Sequence, residues 1–428
     1  MTEKANYIFT GARVIDPSRG VDDKVDIGVD SGVIVPPGKV KNPVTIDLSG
    51  LTAAPGFIDI HVHLRQPGKT ASETFRTGGM AAAAGGFTTI VSMPNSSPAA
   101  DTPGAIEHIL AHTRREGVVK VLPCGAMTKN LEGKEMTGIG ALKKAGVAAV
   151  SDDGKCVQNH EFMRHIVEYS KSFGLPVLDH CEDELLASGG VMHEGYWSVV
   201  LGMKGFSSAA EEMMVARDII LSRMTDWKIH IQHISCKESV ELVRTARKRG
   251  IKISAEATPH HISLTDECIK MFDTNYKMNP PLRSEEDRMA VIEGLRDGSV
   301  TVIASDHAPH TQTDKLVEFD YAPFGIIGLE TSVSVCLTEL YHKGFLTLPE
   351  LVSKYTKGPA EVLGLDIGTL KEGSPADITV FDPDADGRID AESFYSKSRN
   401  TPFHGKSIRG KVRATIVDGK LVYNTLQL

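Results

Sequence analysis

GFIDIHVHLRQPG, residues 56–68, begins as a buried strand and ends as something else. Phe57, Ile58 and Ile60 are strand formers, yet the run closes on His61, His63 and Arg65. Side chains alternate faces along a strand, so His61 and His63 share one side while Val62 takes the other. Two imidazoles on one face of a strand end can grip a metal. An isolated H-x-H is weak evidence for that, and the rest of the chain has to supply the context.

Moving outward, short apolar runs alternate with amphipathic segments from Pro55 to about Leu365. The runs are FIDIHVH, FTTIVSMP, VVKVLPCG, VAAVSDD, LPVLDHC, KIHIQHIS, IKISAEA and VTVIASD. EMTGIGALKKAG and NHEFMRHIVEYSKSFG read as helices running into a glycine. Ser235, with Glu238 three residues on, reads as a capping box before Val240, Val243 and Ala246. Eight β-then-α units favour a closed (β/α)8 barrel over an open doubly wound sheet, and no glycine-rich dinucleotide fingerprint follows the first run. Residues 1–54 and 366–428 instead carry short strand patterns broken by Gly and Pro. The expectation is one small β-sandwich domain built from both termini, with residues 55–365 inserted as a barrel.

Composition excludes several classes. A net charge of -8 gives no basic footprint for nucleic acid. No apolar run is long enough to span a bilayer, and the opening MTEKANYIFTGARVID lacks a secretory pattern. The six cysteines (Cys124, Cys156, Cys181, Cys236, Cys268 and Cys336) form no C-x-x-C and read as reduced thiols, mostly packing residues, of a cytoplasmic protein.

Barrel enzymes keep their chemistry at the C-terminal ends of the strands. Here those ends hold His61 and His63, then Asp152-Asp153, His180, His233 and Asp306. Strand ends this close to a core prefer apolar residues, so the departures need a common cause. Four imidazoles and two carboxylates exceed the roughly three protein ligands of one catalytic zinc. They suit two metals about 3.5–4 Å apart, sharing a carboxylate and a nucleophilic hydroxide. Mixed imidazole and carboxylate ligation fits zinc best, with manganese, cobalt or iron as alternatives. Spacing alone does not choose between Asp152 and Asp153 as the bridge.

DIHVHLRQPG, AAAAGGFTTIVSMPNSSP, SDDG, HCEDE, HISCKESV, TPHHISLT, YKMNPPLRSEEDR and ASDHAPH…APFGIIGLE together resemble the bacterial dihydroorotases of the amidohydrolase superfamily. The likeness runs from about residue 5 to the end. It implies a zinc-bearing (β/α)8 barrel that interconverts N-carbamoyl-L-aspartate and L-dihydroorotate in pyrimidine biosynthesis. It further implies that His61, His63 and Asp306 hold one zinc and that His180 and His233 hold the other. Asp153 would bridge the two together with a hydroxide, and Asp306 would be general base and acid. Many superfamily members bridge with a carboxylated lysine; SDDG has none at that position, and Lys155 falls in the following loop.

A ring carboxylate calls for a bidentate guanidinium, which Arg65 at the mouth of the first strand can supply. Asn95 and His310 are expected to add donors to the same oxygens, and both match binding positions of the family. Asn279 matches a further substrate contact, and Phe324 and Gly325 are expected to offer backbone groups to the ring edge. His260, His261 and His307 read as supports, and Thr311–Tyr321, without a helix or strand signal, as a lid. A homodimer is expected, with association with aspartate transcarbamoylase left open. Rival readings are a dihydropyrimidinase, hydantoinase or allantoinase, a non-catalytic dihydroorotase-like subunit, and a metal-storage protein.

Overall fold

The computed structural model describes residues 6–426; residues 1–5 and 427–428, covered by the two-termini expectation, lie outside the described residues. Eight strands share one sheet. They are β1 (Phe57–Val62), β2 (Phe87–Ser92), β3 (Lys120–Ala126), β4 (Ala149–Ser151), β5 (Val177–Asp179), β6 (Ile229–Ile231), β7 (Ile253–Ala257) and β8 (Val302–Ile303). Seven fall inside one of the eight apolar runs and β3 overruns its own by one residue, Ala126, and neighbours pair parallel in sequence order. The ends meet just past β8. The His63 N–H donates to the His307 carbonyl at 2.8 Å, and Val62 pairs with His307 in parallel. The sheet is therefore a barrel, with its polar rim at the strand C-termini.

Apolar packing explains why the barrel holds. One continuous cluster, including Phe57, Phe87, Ile106, Met163, Val240 and Leu295, packs the surrounding helices on the strands. A second joins Ile58, Ile60, Val91, Leu178 and Val302 to Ala360 and Leu363 of the helix Lys357–Leu363.

The flanks build two further sheets. A six-stranded one runs Lys420–Asn424, Ser407–Val417, Ile378–Arg388, Thr52–Pro55, Arg13–Asp16, Val21–Lys24, mixing strands from both termini. A four-stranded one runs Val33–Val35, Ile27–Asp30, Tyr7–Thr10, Val44–Asp47. Phe9, Val14, Val29, Leu48, Ala53, Ile378, Val380 and Ile416 form the core they share. Between Arg388 and Ser407 the chain runs over to the barrel rim, where Ile389 and Phe403 pack with Leu264, Met278, Leu282 and Ile326.

Two local expectations are corrected. The helix Lys237–Lys248 starts at Cys236 with no side-chain cap, and Ser235 is not its cap. The Ser235 hydroxyl donates to Glu211, a buried residue of the helix Ala209–Thr225, and Glu211 Oε1 also accepts the amides of Ser235 and Cys236 at 3.0 and 3.1 Å. A carboxylate from a neighbouring helix thus satisfies the free N–H groups. The second correction concerns 311–321, which contains a one-turn helix, Gln312–Lys315, under a Thr311–Asp314 capping box. Lys315 is buried and its ammonium donates to the carbonyls of Thr274, Lys277 and Pro323. Lys277 does the same for Phe319 and Asp320, so backbone carbonyls anchor the segment from beneath. All six cysteines are free. Among the described residues, no helix is long and apolar enough to cross a membrane.

Candidate active site

β1 delivers His61 and His63 to the barrel mouth with ring centroids 5.4 Å apart. Asp153, after β4, sits between them: Oδ1 lies 3.1 Å from His61 Nε2 and Oδ2 3.3 Å from His63 Nε2. Asp306 Oδ1, past β8, lies 3.1 Å from His63 Nε2 and 3.6 Å from His61 Nε2. After β5 and β6, His180 Nδ1 and His233 Nε2 face each other at 2.8 Å, each 3.9 Å from Asp153 Oδ1. Five strand ends thus bring six side chains together, with Asp153 at the centre of the other five. Asp152 turns the other way and accepts the amides of Met127 and Thr128 at 2.8 and 3.0 Å.

The far nitrogens of three histidines are engaged. His61 Nδ1 lies 2.6 Å from Glu256 Oε1, His63 Nδ1 2.9 Å from Asn95 Oδ1, and His180 Nε2 3.1 Å from Glu182 Oε2. Acceptors there put the proton on the far side of each ring and turn a lone pair inward. His61 Nε2 is buried with no hydrogen bond, its 3.1 Å approach to Asp153 being out of line for one. One donor atom from each of His61, His63 and Asp306 lies within 4.8 Å of the others, and the same holds for His61, Asp153 and His233. Converging lone pairs, anionic oxygens and an orphaned buried nitrogen make a donor set that divalent transition metals fit.

The charges are strongly coupled. Burial alone would raise the Asp153 carboxyl, but His61, His63 and His180 hold it well below the usual range. Burial lowers His61, and Asp153, Glu256 and Asp306 more than reverse this. Burial, His180 and His61 together push His233 well down, leaving it neutral. Glu256, buried between His61 and His230, is held at about 2 because the imidazoles outweigh its burial. The backbone is strained here too: Arg65, His233 and Asp306 adopt φ of 58°, 31° and 45°. Such conformations cost about 1–3 kcal/mol each and are found where function needs the side chain re-aimed.

Above the cluster opens a cavity of about 230 Å³. Its walls include His63, Arg65, Asn95, Asp153, His180, His233, Asn279, Asp306, His310, Phe324 and Gly325. His61 lies beneath, fully buried. Arg65 Nε donates to the Pro309 carbonyl at 3.0 Å, which fixes the guanidinium against the wall. Asn279 Nδ2 donates to Glu182 at 2.7 Å, while its Oδ1 is buried without a partner, an acceptor in want of a donor. Gly325 has φ +127°, and a Cβ there would stand 2.8 Å from the Ala308 Cβ, so no other residue fits.

Two expected contacts change character. His310 Nε2 lies 2.8 Å from the Phe324 carbonyl and must carry the proton. Burial, Arg65 and Lys315 lower its pKa to about 3, so the ring is neutral and Nδ1 is an acceptor. The Gly325 N–H donates to the Lys277 carbonyl at 3.0 Å and its carbonyl accepts from Asn400 Nδ2 at 3.1 Å, so both backbone groups already have partners within the protein.

Lys155 is exposed and lines a separate, adjoining cavity of about 500 Å³, away from the histidines. His307 engages Glu73 at 3.3 Å, and His261 bonds Thr258 and the Pro280 carbonyl, both in supporting positions. Asp179, Cys181 and Asp218 form another buried group, but Arg217 already supplies its cation, at 2.6 Å from Asp179 and 2.8 Å from Asp218. Sequence reasoning missed Glu256 and Glu182. The signal for Glu256 was present: an acid inside the apolar run IKISAEA.

A dihydro-orotase-like family model matches residues 50–239 and an amidohydrolase family model residues 229–423. A dihydroorotase of Geobacter metallireducens is 48% identical over 422 residues, covering 98% of this chain and 99% of that protein. One from Pelotomaculum thermopropionicum is 48% identical over 418 residues, covering 97% and 98%. The chain belongs to the dihydroorotase family. Among solved structures, an L-hydantoinase (dihydropyrimidinase) from Arthrobacter aurescens superposes with a TM-score of 0.89 at 25% identity, covering 99% of this chain and 97% of that one. A dihydropyrimidinase from Brevibacillus agri gives 0.84 at 22% identity, covering 98% and 95%, a likeness of fold. The dihydroorotase family and these cyclic amidases thus share the barrel and the additional β domain.

Proposed function

We propose that this protein is a dihydroorotase, a cyclic amide hydrolase that interconverts L-dihydroorotate and N-carbamoyl-L-aspartate as the third step of pyrimidine synthesis. One observation carries the reading: Arg65, an anion grip, lines the same 230 Å³ cavity into which the histidines and aspartates converge. In this reading His61, His63 and Asp306 would hold one zinc and His180 and His233 the other, with Asp153 as a ligand shared by both. When bound, the two ions supply Lewis acidity for activating water and polarising the amide carbonyl.

The chain's own residues do the rest. Arg65 pairs with the ring carboxylate, and Asn95 adds its Nδ2–H to the same oxygens. Asn279 Oδ1 and His310 Nδ1 accept ring N–H groups, while Phe324 and Gly325 border the ring. In hydrolysis Asp306 takes the proton released by the attacking water and delivers it to the ring nitrogen as the C–N bond breaks. In ring closure the same carboxyl group returns it. Residues 1–54 with 366–428 form the composite domain and 55–365 the catalytic barrel of a cytoplasmic homodimer.

The test is purified protein of measured metal content assayed on dihydroorotate, dihydrouracil, hydantoin and allantoin. Turnover should be confined largely to dihydroorotate. Preference for a ring without a carboxylate would overturn the assignment in favour of another cyclic amidase.

A further inference from the structure

We infer that Asn400, from the C-terminal flank, is a positioning residue that holds the carboxylate grip of the active site in shape; this rests on the reading of Arg65 above. Asn400 is 4% exposed and lies in the stretch that leaves the terminal sheets for the barrel rim. Its Oδ1 accepts the His310 amide at 3.1 Å. Its Nδ2 donates to the carbonyls of Ala308 and Gly325, both at 3.1 Å. Its own carbonyl accepts the Ile327 amide at 3.0 Å. One side chain therefore joins the segment after β8 to the segment at 324–327.

Both joined segments are cavity wall. Ala308, His310 and Gly325 line the cavity, and Pro309 between them receives Arg65 Nε. Asn400 thus fixes the backbone that aims the guanidinium and carries the imidazole beside it, without touching substrate itself. Neighbouring residues brace the same rim: Ser396 donates to Glu73, which engages His307. Only an amide satisfies this position. It presents one acceptor to an N–H and two donors to two carbonyls; an aspartate would set a second oxygen against both carbonyls.

The experiment compares full-length, metal-loaded wild type with Asn400→Ala and Asn400→Asp. Losing the clamp on three buried backbone groups should raise KM for dihydroorotate about tenfold or more, more so for Asp, with kcat within about threefold. Metal content should stay at the wild-type level, and any dihydrouracil turnover should change less than the dihydroorotate turnover. Unchanged KM, or equal losses on both substrates, or loss of metal, would overturn the inference. If neither variant folds, hydrogen exchange on wild type decides: the His310 amide should be strongly protected, and free exchange there would refute the clamp. Arg65→Met with intact dihydroorotate turnover would instead refute the carboxylate reading, whatever the Asn400 variants do.

Discussion

Glu256 Oε1 and His61 Nδ1 lie 2.6 Å apart at the floor of the active site, both fully buried and 195 residues apart in the chain. The carboxylate orients the ring and raises the basicity of the nitrogen facing Asp153. Glu256→Gln keeps the shape and removes the charge. It should weaken metal binding at the His61 site by about 10–100-fold, measured by competition with a chromophoric chelator. Unaltered affinity in a folded variant would show that Glu256 only packs.

A second prediction concerns the pair His180 and His233. Their nitrogens meet at 2.8 Å, a distance that an intervening ion would open. Elemental analysis of protein purified without chelator should approach two ions per chain in the proposed two-zinc site. His180→Ala should lose most of one of them and most of the activity. Full activity with a single ion would rule out the two-metal assignment.

Arg65 is the residue on which the proposed carboxylate recognition turns. Arg65→Met should cost about 2–4 kcal/mol in transition-state binding, or roughly 30-fold to 1000-fold in kcat/KM for dihydroorotate. Metal content should not change. Lys should rescue only in part, since an ammonium lacks the planar fork. Parallel losses on dihydrouracil, which has no carboxylate, would mean that Arg65 supports the strand end instead.

Lys155 is exposed on the adjoining cavity, and Asp153 occupies the centre of the histidine cluster. Lys155→Ala should therefore retain activity within about twofold, as surface substitutions usually do. Mass spectrometry should find no added carboxyl group on any lysine. Bicarbonate rescue of a Lys155 variant would reverse this conclusion.

The barrel was legible because each strand is a compact apolar run and the exceptions cluster at one end of each. His61 and His63 could be paired from a two-residue period alone. Asp152 and Asp153 could not be told apart that way, because their difference lies in the amides of Met127 and Thr128 that capture the first. His310 was legible as a site residue but not as an acceptor, since its proton is committed to a carbonyl 14 residues further on. Ser235 carried a local capping signal that Glu211, from another helix, overrode. Glu256 and Asn400 act across long separations, and nothing in their immediate neighbourhood announces the partner, whereas Glu182 meets His180 only two residues away.

The interleaving of the two chain ends in one sheet has a consequence for biosynthesis. Thr52–Pro55 pairs on one side with Arg13–Asp16 and on the other with Ile378–Arg388, and the Phe57 amide bonds to Thr379, 322 residues later. At about 5–20 residues per second, the N-terminal half of that sheet waits on the ribosome for roughly 15–65 s with an open edge. An unpaired edge is a template for pairing with other chains. The nascent polypeptide therefore passes through a long aggregation-exposed interval, and trigger-type chaperones that shield emerging strands should raise its yield more than those acting after release.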